Sequence, residues 1–216
     1  KLLYISNPTE LGTLYSKEEL ESLFNFCHKN GIYLYLDGAR LGSALTASSN
    51  TIELSDYARL TDAFYIGGTK NGALFGEALV INNQTLQHQF YLSMKQKGAL
   101  LAKGRLLGIQ FIELFKHNLY FTIGQEANEM ANLLKEGLKT LNFSFLVETE
   151  TNQLFPIFPN SLIDYLHKRF NFLVWESYNE THSVVRLITS YVTTRQDIYE
   201  LLSSIIQFKE KNALQQ

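Results

Sequence analysis

Ile32-Tyr33-Leu34-Tyr35-Leu36-Asp37-Gly38-Ala39-Arg40 is the stretch on which the fold of this chain turns. Its nearly continuous apolar run suits a central parallel strand, and it ends on an acid followed at once by glycine. Just before it, Asn30-Gly31 signals a helix that stops in a left-handed cap. That helix opens at Ser16, with Glu19 completing a capping box, and carries Leu20, Leu23, Phe24 and Cys27 on one face. Earlier still, Leu2 to Ser6 reads as a short strand ended by Asn7-Pro8. Strand, helix, strand is a βαβ unit, so the first half of the chain is expected to be α/β.

Downstream, Ala63 to Ile66 reads as a further strand running into Gly67-Gly68-Thr69-Lys70-Asn71-Gly72, and Ala78 to Ile81 as another, closed by Asn82-Asn83. The pattern from Gln84 to Phe115 is mostly helical, broken at Gly98, Gly104 and Gly108. A helix over 124–141 follows. The tail alternates: strands at 143–148 and 153–158, a helix at 161–170, strands at 172–178 and 183–190, and a helix at 194–210. Residues 1–115 are thus expected to form part of a larger α/β domain and 116–216 a small α+β domain.

A chain of 216 residues with 45% hydrophobic and 19% charged content can bury a core of its own. A net charge of −2 gives no general electrostatic case for nucleic acid; the cluster Lys95, Lys97, Lys103 and Arg105 is local. No apolar run reaches the roughly 18 residues that a membrane span requires. The apolar opening at Lys1 to Ile5 is too short for a secretory signal. The expectation is a cytoplasmic protein, with the single Cys27 a core residue in a reducing compartment. The chain has no initiating Met and opens inside a strand, which predicts a segment upstream.

Three residues draw attention on chemical grounds. Asp37 ends a strand at the carboxyl edge of a parallel sheet, where ligands of open α/β folds bind. Its carboxylate reads as the partner of one cation, as a cap of the following turn, or as a Mg²⁺ ligand, although no second carboxylate is near in sequence. Lys70 follows another strand and two glycines; crowding there would desolvate the amine and favour it as a nucleophile. Its rivals are a surface lysine in a glycine turn and a phosphate loop, but Asn71 stands where that loop needs Ser or Thr. Arg186 is alone in the apolar strand Ser183 to Ser190, which calls for a bidentate anion, an internal ion pair or a route to solvent.

Asp-Gly-Ala-Arg at 37–40, Gly-Gly-Thr-Lys-Asn-Gly at 67–72, the stretch Lys97 to Arg105 and Val-Arg-Leu-Ile-Thr-Ser at 185–190 together resemble the low-specificity L-threonine aldolases, in order over nearly the whole chain. These belong to the β-eliminating lyase group of aspartate-aminotransferase-like enzymes that use pyridoxal 5′-phosphate (PLP). The resemblance implies that Lys70 holds PLP as a Schiff base and that Asp37 pairs with the pyridine nitrogen. It places Arg40 beside the ring, Arg186 on the α-carboxylate of an amino acid substrate, and Lys103 or Arg105 on the cofactor phosphate across a subunit interface. It implies a fold with a mixed, mostly parallel sheet, a homodimer or homotetramer, and cleavage of β-hydroxy-α-amino acids to glycine and an aldehyde. A related PLP lyase acting by β-elimination, or a non-catalytic fragment, would share these residues. The family's phosphate-binding backbone and ring-stacking histidine are expected upstream of Lys1, together with the base for the substrate hydroxyl. Of the histidines in this chain, His182 is the one retained as a candidate. No metal is expected.

Overall fold

The computed structural model describes residues Lys1–Ala213. They divide into two compact units, Lys1–Glu10 with Leu14–Gln125, and Leu11–Thr13 with the described residues from Glu126 onward. The first unit contains β1 (Leu2–Ser6), α1 (Lys17–Lys29), β2 (Tyr33–Asp37), α2 (Leu41–Leu45), α3 (Leu54–Leu60), β3 (Ala63–Ile66), β4 (Ala78–Ile81), α4 (Gln84–Gln87), α5 (Phe90–Gln96) and α6 (Arg105–Phe115). The helix α7 (Leu119–Thr140) starts in it.

The capping box forms as read: the Ser16 amide donates to Glu19 Oε2 at 2.8 Å and the Glu19 amide to Ser16 Oγ at 3.2 Å. Leu20 and Cys27 on α1 are fully buried. The sheet runs β1-β2-β3-β4, parallel between β1, β2 and β3 and antiparallel between β3 and β4.

β2 is not apolar on both faces. Leu34 and Leu36 are fully buried with Ile5, Phe64 and Ile66, whereas Tyr33, Tyr35 and Asp37 stay half-buried. The register aligns Tyr4 with Tyr35 and Ser6 with Asp37, so a strand's two-residue period puts Tyr4, Tyr35 and Asp37 on one face. Tyr35 also aligns with Ala63, which brings Tyr65 to that face. Tyrosine supplies apolar area together with a hydroxyl that needs a partner, so this face is built to meet something polar.

The second unit contains β5 (Gln153–Leu154), β6 (Ile157–Pro159), α8 (Asn160–Leu166), β7 (Leu173–Ser177), β8 (His182–Ile188) and α9 (Arg195–Ala213), beside the later part of α7. β8 lies at the centre, antiparallel to β5, β6 and β7. Val185 of β8, Leu138 of α7, Phe158 of β6 and Ile205 of α9 are fully buried in its core.

Two strand expectations fail here. Residues 143–148 form no strand, only an isolated bridge between Phe145 and Pro156, and 153–158 splits into β5 and β6. Pro156 accounts for the second: it has no N–H to donate toward β8, although its carbonyl still accepts from the Val185 amide at 3.0 Å. The bridge to 143–148 keeps both of its hydrogen bonds, Leu146 amide to Phe155 O and Ile157 amide to Ser144 O, each at 2.9 Å, and extends no further.

Candidate functional site

β2 and β3 end side by side, and glycine lets the loops after them touch. The Gly67 amide donates to Gly38 O at 2.9 Å. A Cβ on Gly38 would stand 2.0 Å from Tyr65 O, and one on Gly67 would stand 2.3 Å from Ala39 O. No other residue permits that approach. The contact fixes the spacing between the end of β2, which carries Asp37, and the turn that carries Lys70.

The Asp37 carboxylate is held on three sides. Tyr4 donates its hydroxyl to Oδ2, Tyr65 donates to Oδ1, and the Ala39 amide donates to Oδ1 at 2.9 Å. Burial pushes the Asp37 carboxyl up, but the two tyrosine hydroxyls, the Ala39 amide and the Lys70 charge outweigh it and hold it below the usual carboxylate range. The same hydrogen bond from Tyr4 to Asp37, with some burial, pushes the Tyr4 hydroxyl up to about 12. Burial first and Asp37 second raise Tyr65 well above an ordinary tyrosine. An ionised carboxylate offers two acceptor positions on each oxygen. Both on Oδ1 are occupied, and among the described residues one on Oδ2 has no donor.

Lys70 sits in a 3-10 turn, Thr69–Asn71. The turn is pinned from below: Asn71 Nδ2 donates to Tyr120 O at 2.8 Å, and the Tyr120 hydroxyl donates to Gly67 O at 3.0 Å. The Glu77 carboxylate accepts from the Gly68 amide and so supports the turn's backbone. Lys70 itself is exposed, contrary to the crowding expected from sequence. Gly67, Gly68 and Asn71 take the buried positions of the turn and leave the lysine outward.

Arg40 is half-buried and precedes α2; Lys103 and Arg105 are exposed at the start of α6. All three lie with Asp37 and Lys70 in the first unit. Arg186 lies in the second, half-buried on β8. Its Nε donates to Gln153 Oε1 at 3.1 Å, its Nη2 donates to the same oxygen, and its guanidinium carbon is 5.4 Å from the centroid of the Trp175 ring. Trp175 falls at the bulge of β7 and packs edge-on against Phe155 at 5.4 Å. No ion pair involves Arg186 among the described residues, and it lines a cavity of about 510 Å³ with Leu187, Thr189, Asp197 and Leu201. His182 opens β8, its Nδ1 2.8 Å from Thr181 Oγ1.

The family model of the β-eliminating lyases matches residues 1–160. The chain belongs to this family. A low-specificity L-threonine aldolase of Pseudomonas aeruginosa is 30% identical over 171 residues, covering 78% of this chain and 49% of the relative. One from Saccharomyces cerevisiae is 26% identical over 156 residues, covering 68% of this chain and 39% of the relative. The solved structure of a Leishmania major threonine aldolase superposes with a TM-score of 0.93 at 45% identity, covering 96% of this chain and 61% of that one. A Thermus thermophilus aspartate aminotransferase superposes with a TM-score of 0.68 at 16% identity, which speaks to the fold. The chain is therefore aspartate-aminotransferase-like in fold, and it spans about half the length of the curated relatives it matches.

Proposed function

We propose that the protein carrying this chain is a PLP-dependent lyase of the threonine aldolase type, which cleaves L-threonine, L-allo-threonine and related β-hydroxy-α-amino acids to glycine and an aldehyde. One observation carries the reading. In a member of this lyase family, a carboxylate kept ionised by two tyrosines lies within the field of a lysine on the neighbouring loop.

The residues fit the cofactor. The open acceptor position on Asp37 Oδ2 suits a protonated ring nitrogen, and an ionised partner is what keeps such a nitrogen protonated. The Lys70 amine, on a turn fixed by Asn71 and Tyr120, would hold the cofactor covalently and, once released, carry a proton locally. Arg40 would lie beside the ring, and Lys103 or Arg105 would reach the phosphate of a neighbouring subunit. When bound, PLP supplies an electron sink for the pair released at the substrate α-carbon. Arg186 would grip the α-carboxylate and so orient the bond to be broken, which in threonine is Cα–Cβ. Residues 1–115 then serve as part of the cofactor domain and 116–216 as the small domain of a cytoplasmic homodimer or homotetramer.

The test is spectroscopic. Adding PLP to the protein should produce a visible absorption band that Lys70→Ala abolishes, and L-threonine should then yield glycine and acetaldehyde. A protein that takes up no PLP, or a band indifferent to Lys70→Ala, would overturn the reading. Pyruvate from L-serine without acetaldehyde from L-threonine would move it to a β-eliminating lyase.

A further inference from the structure

Gln153 occupies a costly position. Its side chain is fully buried, and its Nε2 has no hydrogen-bond partner among the described residues. The orientation of the amide is settled by chemistry: a guanidinium only donates, so the atom facing Arg186 Nε and Nη2 must be the oxygen. That leaves the amide N–H groups as buried donors with nothing to receive them, which disfavours the folded state unless an acceptor arrives. Leucine or methionine at a fully buried position of β5 would avoid the penalty.

The choice of acceptor is informative. Gln153 aligns with Ile188 on β8, and Arg186, two residues along, shares its face. The amide oxygen fixes the guanidinium at two nitrogens while Trp175 supports it from the ring side. A neutral acceptor does this without cancelling the arginine's charge. Aspartate or glutamate would hold the same geometry but consume the charge that an anionic ligand needs.

We propose that Gln153 is the second half of the carboxylate-binding site. Its oxygen sets the orientation of Arg186, and its unpartnered amide N–H donates to the α-carboxylate when an amino acid binds. This rests on the aldolase reading above, in which Arg186 meets that carboxylate.

The experiment titrates the PLP-loaded protein with glycine and, separately, with methylamine, which has the amine but no carboxylate, and follows the visible band. Gln153→Met and Gln153→Glu should each weaken glycine binding by about tenfold or more, as loss of a hydrogen bond to a charged group predicts. Methylamine binding should stay within about twofold, because the interaction removed is one that methylamine never makes. With L-threonine, KM should rise more than kcat falls. Should Gln153→Met fail to fold, Gln153→Leu, likewise neutral and without an N–H, takes its place, because Gln153→Glu also neutralises Arg186 and cannot decide alone. Unchanged glycine binding in the folded variants overturns the proposal, as does an equal loss for glycine and methylamine, which would mark a structural role. A wild-type protein that binds PLP but ignores glycine overturns the aldolase reading and this proposal with it; normal wild-type binding with indifferent variants overturns this proposal alone.

Discussion

Tyr65 holds Asp37 from the adjacent strand, donating its hydroxyl to Oδ1. From the strand on the other side of β2, Tyr4 donates to Oδ2. Removing either donor makes the ionised carboxylate less favourable. Tyr65→Phe should therefore raise the Asp37 carboxyl and move the acid limb of the kcat–pH profile upward, by up to about one unit if one charge-assisted hydrogen bond is lost. The profile of the variant against wild type checks this.

Asp37→Asn keeps the shape and removes the charge. A neutral amide cannot favour a protonated ring nitrogen, so kcat with L-threonine should fall by about 10²-fold or more. PLP should remain attached through Lys70, which the visible band would report.

Asp37 also links stability to acid. Its folded carboxyl is held below the ordinary range, so its contribution is complete above the unfolded value of about 3.9 and is lost as pH falls through the folded value. Tyr4 acts at the other extreme. Its hydroxyl is pushed up to about 12, so the stability it adds is complete below the unfolded value of about 10 and is lost as pH rises through the folded one. In an absorbance titration near 295 nm, Tyr4→Phe should remove one late-ionising tyrosine.

Gly124 tests the packing beneath the lysine turn. A Cβ on it would stand 2.4 Å from Gly42 O, a backbone atom that cannot step aside. Gly124→Ala should destabilise the protein by about 1–3 kcal/mol despite alanine's better helix propensity, measured as a lower urea midpoint.

Much of this architecture was legible from local signals. The Ser16–Glu19 box, the Asn30-Gly31 stop and the runs ending at Asp37 and Ile66 are decided by residues within a turn of one another, and those elements form where they were read. The region around Pro156 was not: a single strand over 153–158 needed an N–H toward β8 that the proline lacks, and the bridge at Phe145 does not extend into a strand. Asp37 and Lys70 were visible as residues, but their surroundings were not. Tyr4 and Tyr65 lie far from Asp37 along the chain and meet it only through strand register; the alternation of tyrosine at 33 and 35 was the available hint that one face of β2 is polar. Gln153 gave no signal, since a lone glutamine in a strand reads as a surface residue until its burial against Arg186 is seen.

The main-chain contact between Gly38 and Gly67 has a practical corollary. Because no side chain mediates it, the approach of the two loops that follow β2 and β3 is insulated at that point from changes in the surrounding surface. Exposed positions nearby can be varied, provided those two glycines and the Asn71, Tyr120 and Glu77 supports of the lysine turn are kept.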